Sequence, residues 1–325
     1  MARTNNVTEL IITGLFQDPE VQRVCFVLFL PVYLATVLGN GLIVVTVSVS
    51  KSLCSPMYFF LGYLSLVEIT YSSTVVPKFI TDLLTKVKTI SFKGCLAQIF
   101  FSHFFGVTEI LLLVVMAYDR YMAICKPLHY MNIMSHQLCH TLVAGSWLWG
   151  FIHSIIHVLI TIPLPFCGPN VIDHYFCDLQ PLFKLACSDT FVGGIVVLVN
   201  SGLISVLSLI ILVSSYIIIL FSLRNRSAEG RRKALSTCAS HITVVILFFW
   251  TCHLHLHVAL VHLHWGQAGG CVLHGHHPHA EPYHLHTQKC RGESRHEEAV
   301  GQKGELRDGN LINNVSNFCL SWNEV

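Results

Sequence analysis

Residues 191–223 read FVGGIVVLVNSGLISVLSLIILVSSYIIILFSL, a run without a single Asp, Glu, Lys, Arg or His. A hydrocarbon core about 30 Å thick takes roughly 20 apolar residues in a helix. The run is longer than that, and it lacks the polar-apolar alternation of a barrel strand. It reads as a membrane-spanning helix. Toward the N-terminus the same pattern recurs. Leu142–Pro163 carries His153 and His157, and Leu96–Ala117 carries His103 and Glu109. Met57–Val76 carries Glu68 and should end near Pro77, while Val24–Ser50 holds no charge. On the C-terminal side Ala234–Cys252 follows, with His241 its only titratable group apart from cysteines. No further run follows, because His, Gly, Gln and charged residues break every apolar stretch after Cys252.

Composition agrees. Charged residues are 12% of the 325, hydrophobic residues 53%, and mean hydropathy is +0.60. Soluble domains carry about 25% charge. These values exclude a disordered chain, a coiled coil and an ordinary water-soluble enzyme. A net charge of +2 argues against a nucleic-acid partner. The 13 cysteines form no CxxC pair, and Cys25 and Cys139 lie in apolar runs as small hydrophobes. The 20 histidines are distributed unevenly, with twelve of them after Trp250.

Orientation follows from Lys and Arg in short loops. Lys51 follows the first span and Arg120 and Lys126 the third. Arg224, Arg226, Arg231, Arg232 and Lys233 follow the fifth, so these loops are placed in the cytoplasm. Lys86, Lys88 and Lys93, after the second span, oppose that placement. The N-terminus is then extracellular, in keeping with the sequon Asn6-Val7-Thr8. No basic n-region of a cleavable signal precedes the first span. The loop between spans four and five holds Cys167, Cys177 and Cys187, and Cys95 precedes span three on the same oxidising side. Four cysteines allow three pairings; a bond from Cys95 would staple that loop over the bundle.

Several motifs now carry a family likeness. Met116-Ala117-Tyr118-Asp119-Arg120-Tyr121-Met122-Ala123-Ile124-Cys125 resembles the MAYDRYVAIC signature of olfactory receptors, which are rhodopsin-like G-protein-coupled receptors. Gly39-Asn40, Ser55-Pro56-Met57-Tyr58-Phe59-Phe60-Leu61, Ser215-Tyr216 and Lys233-Ala234-Leu235-Ser236-Thr237-Cys238-Ala239-Ser240-His241 match in order, over about residues 1–249. The finer pattern resembles family 4 of the class II receptors. The resemblance implies an all-α membrane protein of seven-helix receptor architecture, with about six transmembrane helices encoded here. It implies a small volatile odorant outside and a heterotrimeric, stimulatory olfactory-type G protein inside, signalling to cAMP from the plasma membrane. It implies the bonds Cys95–Cys177 and Cys167–Cys187, glycosylation at Asn6, and no cofactor, metal or catalytic residue. Asp119, Arg120, Tyr121, Tyr216, Lys233 and His241 become the G-protein switch. Arg120 paired with Asp119 holds a closed state and, released, meets a G-protein helix. By position relative to Arg120 and Tyr216, the odorant contacts become Ser102, His103, Gly106 and Val107 on span three, and Asn200, Ser201 and Ile204 on span five. Glu68 and Glu109 are costly in a bilayer and should be paired or functional; for Glu68 a structural and switching role is preferred.

The tail departs from this family. After Phe249 a receptor of this kind continues with Gly-Pro and later a PMLNPIIYTLRN-like seventh span. Here the chain reads Trp250-Thr251-Cys252-His253-Leu254-His255-Leu256-His257. Histidine codons read one base later begin AC or AT, which encode Thr, Ile or Met. With synonymous codons chosen, His276 to Lys289 shifts to Ile-Thr-Pro-Met-Leu-Asn-Pro-Ile-Ile-Tyr-Thr-Leu-Arg-Asn, and Trp250 to His253 to Gly-Pro-Ala-Ile. The reading is therefore an extracellular tail (1–23), a receptor body (24–249) and a frame-shifted, disordered tail (250–325). Such a chain should be retained in the endoplasmic reticulum and should not signal. One rival is a metal-binding tail built on His253, His255 and His257 with His274, His276, His277 and His279, though zinc-finger spacing is absent. A six-span transporter or channel lacks the expected inverted repeats or polar half-helices. An enzyme lacks GxSxG, HExxH and P-loop motifs.

Overall fold

The computed structural model describes residues 8–14, 16, 18–50, 55–166, 170–172, 174–224, 227–229, 231, 232, 235, 238, 239, 241–246 and 249. Five long helices carry the fold: α1 (Pro19–Val49), α2 (Pro56–Leu84), α3 (Phe92–Cys125), α5 (His136–Thr161) and α7 (Phe191–Leu223). All five are long and apolar enough to cross a membrane. The short helices α4 (Tyr130–Ile133) and α6 (Leu179–Leu185) lie in connections. Of the expected sixth span, the described residues 235, 238, 239, 241–246 and 249 are helical.

Capping sets several helix starts. Asp18 Oδ1 accepts from the Glu20 amide at 2.8 Å and Pro19 occupies the first turn, so α1 begins before the expected Val24. Ser91 and Ser135 cap α3 and α5 in the same way, accepting from Gly94 N and Leu138 N. The expected end of the second span at Pro77 is corrected: α2 continues to Leu84 with Pro77 inside it. A proline removes one helix donor, and in membrane helices neighbouring groups make up for the loss. The carbonyl freed by Pro77 is that of Ser73; separately, the Thr74 carbonyl accepts from Gln98 Nε2 of α3 at 3.2 Å, tying α2 to α3, and Lys78 pairs with Asp82.

Helix α3 is the packing centre, lying against α2, α5 and α7. Over half of its apolar window is buried (56%), against 6% for α1. The exposed side chains of α1 include Val24, Val27, Leu38, Leu42 and Val45, which suit contact with lipid. Helices α1 and α2 meet through the Phe29–Phe79 ring pair and a Tyr33–Ser73 hydroxyl bond of 3.0 Å.

A small sheet closes one end of the bundle. Strand β1 (Glu9–Ile12) lies between β2 (Thr89–Ser91), antiparallel, and β3 (Val171–Ile172), parallel. Leu10 and Ile12 point inward while Glu9 and Ile11 face out, the period of two expected of a strand. The N-terminal segment and the loops after spans two and four therefore meet at the same end. Lys88, which opposed the charge-based orientation, is buried there at 7% exposure and lies against Gly14. A Cβ on Gly14 would stand 2.7 Å from Lys88 Nζ, and its φ of +78° also favours glycine.

Candidate functional site

Beneath the sheet, Cys95 at the start of α3 is bonded to Cys177 in the loop before α6, as the resemblance implies. Gln98 reinforces this staple: its Oε1 accepts from the Cys177 amide at 2.9 Å. Leu10, Ile99, Ile172, Leu179 and Leu182 pack around the disulfide. Cys187 is also disulfide-bonded, while Cys167, the partner expected for it, lies outside the described residues, as does Asn6.

Further along α3 come the residues expected to meet an odorant. Ser102, His103 and Gly106 are half-buried and Val107 is buried. On α7, Asn200, Ser201 and Ile204 are half-buried. The hydroxyl oxygens of Ser102 and Ser201 are both enclosed without a hydrogen-bond partner. Such groups are uncommon in folded interiors and suit orienting a ligand. Asn200 is joined to the site by its amide nitrogen, 3.5 Å from His157 Nε2.

The sequence reading assigned no role to His153 and His157. Yet they stand four residues apart on one face of α5, and the fold places both against His103. The His103–His157 and His153–His157 ring centroids are 4.3 and 4.4 Å apart. Gly150 brings the helices together. A Cβ there would lie 2.8 Å from the Phe104 carbonyl oxygen and 2.5 Å from Thr108 Oγ1. The spacing of His153 and His157 was visible in sequence, but the crossing that meets His103 was not.

Farther along the bundle, Glu68 and Glu109 are hydrogen-bonded to each other, so the two acids expected to need partners supply one another.

At the end away from the sheet, Asp119 is fully buried and paired with Arg120, whose Nε lies 3.1 Å from Asp119 Oδ2. The motif's Asp and Arg thus pair with one another. The structure adds Tyr130, which sequence reasoning passed over. Its hydroxyl donates to Asp119 Oδ1 at 2.7 Å from the connection after α3. Burial, then the bond to Asp119, push the Tyr130 phenol above its ordinary range, so it remains a donor. The turn Pro127–His129 brings it there. Tyr216 of α7 is hydrogen-bonded to His241. Tyr121 is half-buried with no side-chain bond to this group among the described interactions, and Lys233 lies outside the described residues.

A family model described as olfactory receptor matches residues 29–268. Olfactory receptor 4B13 of Mus musculus is 82% identical over 249 residues, covering 77% of this chain and 82% of its own. Olfactory receptor 4B1 of Homo sapiens is 80% identical over 249 residues, covering 77% of this chain and 81% of its own. Among solved structures, squid rhodopsin superposes with a TM-score of 0.61 at 19% identity, over 76% of this chain and 70% of its own. At that identity the likeness bears on the fold alone, and it agrees with the expected all-α, seven-helix receptor architecture.

Proposed function

The chain belongs to the olfactory receptor family, and we propose that its body binds a small volatile odorant between α3, α5 and α7 and is built to drive a stimulatory, olfactory-type G protein toward cAMP. Members of this family are odorant-sensing membrane receptors, not enzymes. The observation that carries the reading is the pair of unpartnered buried hydroxyls, Ser102 and Ser201, on two helices beside Asn200 and His103. Polar groups of this kind within apolar walls fix a ligand's orientation. At the other end, the Asp119–Arg120–Tyr130 cluster supports a switch held shut. Opening it frees Arg120 for a G-protein helix.

The signal does not pass in this chain. The tail after Trp250 is read as a receptor frame displaced by one base, which removes the seventh span and its switch motif. Groups such as Asn40 and the Glu68–Glu109 pair then lose packing partners, which is expensive in a bilayer. The product is retained in the endoplasmic reticulum instead of reaching the plasma membrane, its destination by family. Sequencing the transcript across codons 245–255 tests the frame. The expected result is a single-base displacement that, once reversed, yields a PMLNPIIYTLRN-like span. A gene in which no shift recovers that span would overturn it.

A further inference from the structure

We propose that His103, His153 and His157 form a binding site for a late transition-metal ion that imidazole favours, zinc or copper, which staples the third span to the fourth. One ligand atom from each of the three residues lies within 4.8 Å of the others. Small side-chain adjustments bring three such nitrogens to the roughly 2.0–2.1 Å of a zinc–imidazole bond. His153 and His157 stand at the i, i+4 spacing by which one helix face presents two imidazoles to one ion.

The second observation is the state of the rings. His153 is 2% exposed and neither of its ring nitrogens has a hydrogen-bond partner. His157 is fully buried; its Nδ1 has no partner and its Nε2 has only the long contact to Asn200. Interiors rarely leave several such nitrogens unsatisfied. Packing alone would be served as well by Leu or Phe, at no polar cost. An ion takes up one lone pair from each ring.

The donor set narrows the ion. Three neutral imidazoles without a carboxylate do not suit magnesium or calcium, which take oxygen ligands. They suit zinc and copper. The amide of Asn200 stands next to His157, and its oxygen is the natural fourth donor when the amide is turned. That ligand would tie in α7 as well. Ion binding here does not depend on whether an odorant is recognised.

The tail histidines would bind metal adventitiously, so the test uses the full chain with all twelve of them, from His253 to His296, changed to Asn. Thermal unfolding is followed in detergent with zinc chloride, with copper(I) kept reduced by ascorbate, which leaves the Cys95–Cys177 bond intact, and with magnesium chloride as control. Zinc or copper at a hundredfold excess over its dissociation constant is expected to raise the midpoint by roughly 5–10 °C, and magnesium to leave it unchanged. His157→Gln and His153→Gln should each abolish the rise. X-ray absorption of the zinc-loaded chain serves if a variant fails to fold; the expected signal is at least three imidazole nitrogens at about 2.0 Å. A shift that persists in His157→Gln, no shift with either ion, or an absorption spectrum without imidazole ligands would overturn the site.

Discussion

Asp119 shows how much depends on single polar groups in this bundle. It is fully buried, and its carboxylate is satisfied from two sides, by Arg120 and by Tyr130. Tyr130→Phe leaves one carboxylate oxygen without its hydroxyl partner and should cost about 1–3 kcal/mol, seen as a lowered thermal midpoint in detergent. Arg120→Ala strands a buried charge and should cost more, about 3–5 kcal/mol. The ordering is the check: a Tyr130→Phe variant as stable as the parent would remove Tyr130 from the cluster. Asp119 and Arg120 were legible in sequence because they sit in a long motif. Tyr130 was not, because the turn after α3, and not any spacing along a helix, carries it back to Asp119.

Among the elements, the contact of α3 with α5 holds the candidate site together. Gly150 sits where α5 meets the Phe104 carbonyl and Thr108 hydroxyl of α3, whereas Gly145 on the same helix has open space at its Cβ. Gly150→Ala should therefore push the helices apart and cost about 1–3 kcal/mol, while Gly145→Ala should be neutral or better. Unfolding midpoints of the two variants, measured side by side, separate close packing from helix propensity. The staple at the sheet end makes a second prediction. The Cys95–Cys177 bond closes a separation of 82 residues. Cys177→Ser should cost about 2–5 kcal/mol, and reductant should lower the parent's midpoint in the same direction. Span existence was legible from hydropathy, since apolar runs of that length have few other readings. Helix ends were less so. Pro77 looks like a stop in sequence, but a proline costs only one helix hydrogen bond, and α2 runs through it to Leu84. The sheet was invisible beforehand, since β1 and β3 are short and pair over a long stretch of sequence.

At the scale of the whole molecule, the low charge and the histidine surplus have separate origins. The first belongs to a receptor body that shares 82% identity with a mouse family member over 249 residues. The second is read as the coding trace of a displaced frame. We propose that this body is a sound odorant receptor disabled by its tail. The most direct measurement expresses this chain beside one whose frame is restored at Trp250, in the same cells, and records surface staining and cAMP across an odorant panel. Surface display and a response are expected from the restored receptor, and intracellular retention with no response from this chain. An odorant-dependent cAMP rise from this chain itself would contradict it.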